Sequence, residues 1–175
     1  MKNLKKFVAL LLAGVMAMVM LTACGGGGGT AADTEKEEAI RKQLGKRTEA
    51  TSLCDRDGKV ENDSQLYKET AKLLDARIKA ETGAFGILAV DFDVKGIDPV
   101  EQYVTVTLSA DYKTAGLVAG LITKITEELG KIESTNNSVK LDTEWAKAAV
   151  VVRTNEKGSY AAIAIQVKNI AYKGK

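Results

Sequence analysis

The pattern of apolar and polar residues predicts two helix–hairpin units between residues 63 and 175. The first unit starts with a helix in NDSQLYKETAKLLDARIKAETG, which Asp63 or Ser64 can cap and Gly83 can end. Arg77 interrupts the apolar stripe of this helix once. The other stripe positions follow helical spacing and are Leu66, Tyr67, Thr70, Leu73, Leu74 and Ile78.

Two alternating segments follow this helix and predict a hairpin. In FGILAVDFDV and EQYVTVTLSA, apolar residues recur at every second position, which is the period of a half-buried strand, and KGIDP supplies the turn between them. One sheet face then receives Leu88, Val90, Phe92, Val94, Val104, Val106 and Leu108. The opposite face receives Asp91, Asp93, Tyr103, Thr105 and Thr107, as a solvated or a binding surface.

The second unit repeats this order. ADYKTAGLVAGLITKITEELGKI predicts a helix, and EWAKAAVVVRT and SYAAIAIQVKNI predict strands joined by the loop NEKG. The helix places on one face Ala115, Val118, Leu121, Ile122, Ile125, Leu129 and Ile132. We therefore expect an α+β two-layer sandwich in αββαββ order. It has an antiparallel sheet of about four strands with both amphipathic helices on one face, and a weak helix capped by Asp33 or Thr34 precedes it.

The N-terminus has the pattern of a secretory signal peptide. MKNLKK is basic, and the next 17 residues, FVALLLAGVMAMVMLTA, carry no charge and end in small residues before Cys24. A transmembrane anchor is the alternative, because 17 residues is at the lower limit for crossing a bilayer. The ending favours a signal peptide, since Leu21-Thr22-Ala23-Cys24 resembles the lipobox of bacterial lipoproteins.

This resemblance covers residues 1–24 and implies a lipid anchor. In bacterial lipoproteins the cysteine receives a diacylglycerol thioether with palmitate-type acyl chains, and cleavage before it makes it the mature N-terminus. For this chain that assigns lipidation to Cys24 and signal-peptidase recognition to Leu21, Thr22 and Ala23. It also implies a location on the outer side of the membrane, at the cell surface or in the periplasm.

The sequence divides into four segments on this reading. A signal peptide spans 1–23, a glycine-rich flexible tether spans 24–35, and a weak helix with an Asp/Gly loop spans 36–62. The α+β ectodomain spans 63–175.

Composition narrows the function classes. The chain contains no histidine, which excludes a His-dependent catalytic triad and zinc sites with His ligands. Without Lys2, Lys5 and Lys6 of the signal peptide, 22 basic and 23 acidic residues remain, so the mature chain has no basic footprint for nucleic acid.

Three groups of residues could carry chemistry. Asp55, Asp57 and Asp63 partly resemble a calcium loop, but the first and the bidentate acids of that loop are missing, which favours a solvated turn. Cys54 has no cysteine to pair with once Cys24 is lipidated and is read as a partly buried structural thiol, with intermolecular pairing as the alternative. Asp91, Asp93 and Asp98 could supply paired carboxylates for glycoside hydrolysis.

The sequence therefore predicts a non-enzymatic, lipid-anchored envelope protein that binds a protein, an envelope polymer or a small ligand and uses no cofactor. Two alternatives stay open. One is a small carboxylate-dependent envelope hydrolase acting at Asp91 and Asp93. The other is a structural or surface-assembly component whose exposed strand edges accept further strands.

Overall fold

A five-stranded antiparallel sheet organises the chain. The structure, a computed structural model, describes residues 30–81, 86–98, 100–115, 118–136 and 138–172. Its elements, in chain order, are β1 (Ala31–Ala32), α1 (Thr34–Leu44), a 3-10 helix (Thr48–Leu53), α2 (Ser64–Glu81), β2 (Asp91–Lys95), β3 (Tyr103–Asp111), α3 (Tyr112–Ala115), α4 (Val118–Thr135), β4 (Leu141–Asn155) and β5 (Gly158–Asn169).

The strands lie in the order β1-β4-β5-β3-β2, and every neighbouring pair is antiparallel. Both predicted hairpins are present, and the second turns between Asn155 and Gly158 as the NEKG loop predicted. The α+β class is confirmed. The sheet has five strands rather than about four because β1 adds a short strand beside β4.

The two main helices lie on opposite faces of the sheet, not on one face as expected. α4 packs with α1 on one face, where Ile122 and Ile125 join a core with Val150 and Ile163. α2 packs on the other face, where Leu74 contacts a second cluster that contains Val151. The sheet is therefore the middle layer of three.

The apolar pattern of the central strands explains this arrangement. Val150, Val151 and Val152 are consecutive and all buried, so β4 needs apolar cover on both faces, and β5 shows the same pattern over residues 160–165. Continuous apolar runs are typical of strands buried on both sides, whereas alternation is typical of strands with one solvated face.

The first hairpin keeps the predicted alternation over a shorter length. Phe92 and Val94 pack against the α4-side core, as expected. Leu88 instead joins the α2-side cluster, and Val90 is 38% exposed. The strand begins at Asp91, and Gly86, five residues earlier, has a φ of +65°, which is uncommon for other residues.

The folded unit begins earlier than the predicted domain boundaries. Ala31 and Ala32, which were assigned to the tether, pair with Arg153 and Thr154 of β4. The segment 36–62 was separated from the ectodomain, but Ile40 contributes to the α4-side core together with Leu44, Ala50 and Val60. Residues 31–62 are therefore part of the same folded body as the sheet.

The predicted helix starts are found where they were expected. Asp33 Oδ1 accepts a hydrogen bond from Lys36 N at 3.2 Å at the start of α1. Asp63 Oδ1 accepts from Leu66 N at 2.9 Å at the start of α2. Gly83, Gly116 and the side chains of Ala115 and Val118 lie outside the described part of the chain.

Candidate functional site

One edge of the sheet is closed by side chains that take the place of a neighbouring strand. β1 covers only two residues of β4, and Asn62 continues the edge: its Oδ1 accepts from Val150 N at 2.8 Å and its Nδ2 donates to Val150 O at 3.3 Å. On either side of this pair, Asp33 N donates to Val152 O and Asp63 N donates to Ala148 O. The outward backbone groups of β4 thus have partners from Ala148 O to the β1 pairing at Thr154.

Glu37 completes this closed edge from inside the protein. It is buried, and its Oε1 accepts from Val152 N and from the Tyr67 hydroxyl, both at 2.9 Å. Burial raises the pKa of Glu37, against these hydrogen bonds and the charge of Arg153. Arg153 in turn donates to Asp75 at 3.1 Å, so α1, α2 and β4 share one polar cluster.

The opposite edge of the sheet is formed by β2, and no strand among the described residues pairs with it; we call it the open edge. Two hydrogen bonds fix the direction of its backbone groups. Phe92 N donates to the Asp91 side chain at 2.8 Å, and Asp111 N of β3 donates towards Leu88 O. Because these groups alternate along antiparallel strands, Asp91, Asp93 and Lys95 bond to β3, and Phe92 and Val94 turn their N–H and C=O groups outwards.

Exposed apolar residues concentrate around this open edge. Within the described ranges five large apolar side chains are exposed, and four of them flank β2 along the chain: Ile87 (64%), Val90 (38%), Ile97 (38%) and Val100 (54%). The fifth is Ile170. Unpaired strand edges of this kind are templates for pairing with another chain, and proteins usually protect them with charges, prolines or covering segments.

The polar residues predicted for one sheet face do share a face, and α2 partly covers them. Asp91 pairs with Arg77 of α2, and Arg77 also donates to Ser109 at 2.7 Å. Further along the same face, Gln166 donates to Thr105 at 3.1 Å, beside the half-buried Tyr103.

Asp93 is the least compensated carboxylate of this face. Its Oδ2 is buried and has no hydrogen-bond partner in the described part of the chain, and the nearest cation, Lys95 Nζ, lies 3.6 Å away. Asp98, the third carboxylate considered for catalysis, instead accepts from Val100 N at 3.0 Å in the turn after β2. The three carboxylates thus have three separate partners.

The aspartates of the calcium-like loop likewise bond to separate partners. Asp55 accepts from the backbone N–H groups of Asp57 and Lys59 in a turn that includes Gly58, whose φ is +72°. Asp63 caps α2 and pairs with Lys147 at 3.3 Å. Across the described ranges, no three acidic or Cys side chains come together in a way that could hold a metal ion.

Cys54 is half-buried against the core, where its Sγ donates to Ala50 O at 3.3 Å. It also lines a shallow cleft of about 220 Å³ between the 3-10 helix and β4, with Asp63 and Lys147 on the same wall. Asp91 and Asp93 do not belong to this cleft.

Two residues that hold the sheet edges and faces in place, Arg77 and Glu37, are not predicted as such from the sequence. Arg77 was noted only as an interruption of an apolar stripe, although a charged residue at a core-facing position is itself a sign of a buried partner. Glu37 lay in a segment read as a weak helix, and its partner Val152 is 115 residues away. No local pattern links the two.

Leu21, Thr22, Ala23 and Cys24 lie outside the described residues. No helix within the described ranges combines the length and apolar character needed to cross a membrane. Searches among protein families, curated proteins and solved structures give no match to this chain.

Proposed function

We propose that this chain is a lipid-anchored protein of the cell envelope that binds another polypeptide along the free edge of β2. Cys24 carries the lipid and holds the protein on the outer side of the membrane. Catalysis and cofactors have no part in this function. The observation that carries the proposal is the unpaired edge of β2, flanked by four of the five exposed large apolar residues in the described ranges.

The position of this edge suits a protein anchored at its N-terminus. Cys24 precedes Thr30, the first described residue, by six positions, and the chain enters the sheet at β1. β2 lies at the other end of the strand order, four strand spacings or about 19 Å away. The described chain thus enters the sheet at the closed edge, and β2 forms the edge farthest from Thr30 in the strand order.

The alternative function as a carboxylate-dependent hydrolase has less support. A glycosidase needs one carboxyl group to act as acid and another to act as base or nucleophile, with the sugar between them. Asp91 is instead held by Arg77, and the described cleft lies elsewhere.

The anchor is tested by mass spectrometry of the mature N-terminus. We expect a peptide that begins at Cys24 and carries acyl mass, and a Cys24→Ser variant that retains residues 1–23. A mature peptide without acyl mass would contradict the anchor.

The binding edge is tested by photo-crosslinking in intact cells. A photoreactive amino acid at Ile97, beside the open edge, is expected to give protein adducts. The same amino acid at Lys72, an exposed position on α2, is the matched control and should give few. Equal labelling at both positions, or none at Ile97, would contradict the assignment of β2.

A further inference from the structure

We propose that the polypeptide bound at β2 is a second copy of this chain, which adds its own β2 antiparallel to the first and joins two five-stranded sheets into one. This deepens the proposed function and rests on it for the choice of the β2 edge and, for the strength of association, on the lipid anchor. The pairing is isologous, since the same strand serves both copies about a twofold axis.

Backbone direction limits the registers that such a pair can adopt. Phe92 and Val94 turn their N–H and C=O groups outwards, so these residues must occupy the hydrogen-bonded positions in both copies. In each such register one residue of the first copy faces the same residue of the second copy, and the twofold axis passes between these two residues. The registers that pair most of β2 place the axis at Phe92, at Asp93 or at Val94.

Charge complementarity selects the register centred on Val94. With the axis at Asp93, the two Asp93 carboxylates face each other, and with the axis at Phe92, each Asp93 faces Asp91 of the other copy. With the axis at Val94, each Asp93 faces Lys95 of the other copy, and two opposite-charge pairs flank the Val94 contact.

The side chains fit this register on both faces. Asp93 has a buried oxygen without a hydrogen-bond partner in the described ranges and only a 3.6 Å ion pair within its own chain, so a second lysine opposite it supplies the missing positive charge. On the other face Phe92 lies near Gly96, the first residue after the end of β2, which has no side chain to compete with the aromatic ring. Gly96 has a φ of +78°, and a Cβ there would collide with Tyr103 O.

The predicted interface is short, so association in solution is expected to be weak and to strengthen on a membrane. In this register three residues of β2 in each copy, Asp93, Val94 and Lys95, pair with β2 of the other copy, and this buries less area than a standard protein interface. Two copies anchored in one bilayer are confined to a thin layer, which raises their effective concentration. The nearly neutral mature chain adds little electrostatic repulsion between copies.

Disulfide trapping in the full chain tests the register. In membranes from cells that express a Cys54→Ala background, Val94→Cys should give a covalent dimer on mild oxidation, because facing residues of paired strands lie within disulfide range. Phe92→Cys is the matched control, since residue 92 is then offset from its counterpart by four residues, or about 13 Å. A dimer from Phe92→Cys that equals or exceeds that from Val94→Cys would overturn the proposal.

Charge exchange tests the pairing independently of any loss of folding. In the Val94→Cys background, Asp93→Lys alone or Lys95→Asp alone places like charges opposite each other and should lower the crosslink yield about tenfold. The double exchange, Asp93→Lys with Lys95→Asp, should restore it, which a misfolded protein would not do. Failure of the double exchange to restore the yield of two folded single variants would overturn the register.

The same experiment separates failure of this inference from failure of the proposed function. If the Cys54→Ala background itself crosslinks, Cys24 has a free thiol, which contradicts the lipid anchor but not the pairing through Val94. If Val94→Cys stays monomeric while Ile97 gives adducts with a different protein, the second copy is excluded and binding at the β2 edge stands.

Discussion

The two edges of this sheet differ in how many of their outward backbone N–H and C=O groups have hydrogen-bond partners. At β4 the outer backbone groups are satisfied by two residues of β1, by the amide of Asn62, by the carboxylate of Glu37 and by the N–H groups that begin two helices. At β2 no described strand other than β3 bonds to the backbone, and large apolar side chains before and after the strand are exposed.

The two edges are therefore protected by different means, because hydrogen bonds cover β4, whereas β2 has only its short length and its charged residues Asp91, Asp93 and Lys95. Glu37 is buried and Asn62 is half-buried, and closing β4 with such polar side chains is costly unless each is fully satisfied. The following predictions measure the contrast.

Hydrogen exchange should show the largest difference. The amides of Val150 and Val152 bond to Asn62 and Glu37, so we expect them to exchange about a thousandfold more slowly than the outward amide of Val94 in dilute, monomeric protein. Site-resolved exchange by NMR measures this. Equal protection of Val94 in the monomer would show that β2 is covered. At high concentration, protection that appears at Val94 would report the dimer.

Removal of Glu37 should be the most destabilising change at the closed edge. Glu37→Ala leaves Val152 N–H and the Tyr67 hydroxyl without their acceptor and should lower the free energy of unfolding by roughly 2–3 kcal/mol. Glu37→Gln keeps an acceptor oxygen and should cost less than about 1 kcal/mol. At the open edge, Asp93→Ala should change stability by no more than about 0.5 kcal/mol in the monomer. Urea unfolding of the three variants measures their free energies of unfolding. A loss from Asp93→Ala as large as that from Glu37→Ala would contradict the expected difference between the two edges.

Two asparagines offer a smaller, matched test. Asn62 bonds to both backbone groups of Val150, so Asn62→Ala should cost about 1–2 kcal/mol. Asn136 donates a single bond to Ile97 O in a more exposed site after α4, and Asn136→Ala should cost about 0.5 kcal/mol or less. Similar midpoints of urea unfolding for the two variants would mean that the closed edge gains nothing from Asn62.

The pH dependence of stability should give the smallest signal, with a sign fixed by burial. Burial raises the pKa of Glu37 above its ordinary value of 4.5, so the folded protein holds this proton more tightly than the unfolded chain. Stability therefore falls as pH rises from about 4.5 through the raised pKa. Asp63 acts in the opposite direction at lower pH, because the hydrogen bond from Leu66 N and the Lys147 pair lower its pKa.

Urea midpoints of the wild type and Glu37→Gln across pH 4–8 isolate this contribution. We expect the wild type to lose stability relative to Glu37→Gln as pH rises. A constant difference would show that Glu37 does not titrate differently in the folded and unfolded states.

Local patterns sufficed to predict most of the elements but not the layers. Asp33 and Asp63 correctly indicate where two helices start. The alternation at Phe92, Val94, Val104 and Val106 correctly predicts the first hairpin. The consecutive apolar residues Val150–Val152 indicate a strand that is buried on both faces. The prediction uses them only to place a strand, and for this reason it lacks the helix layer on the second face.

The closed edge could not be predicted from sequence for a physical reason. β1 is two residues long and has no periodicity, and the bond from Val152 to Glu37 joins residues that only the folded topology brings together. The open edge was foreseen only in general terms, as a strand that could accept another. Its register depends on which residues turn their backbone outwards, and this follows from pairing with β3 rather than from side-chain alternation.

The short strand β1 also determines how the protein responds to a pull on its N-terminus. Tension on Thr30 loads its hydrogen bond to Asp75 and then Ala31 and Ala32, whose side chains are both exposed, so releasing them exposes little further apolar surface. Their release lengthens the N-terminal segment that precedes the folded domain by two residues, or about 7 Å. The next links, Asp33 to Val152 and Glu37 to β4, are anchored in the core, so β1 can yield under load while the domain stays folded.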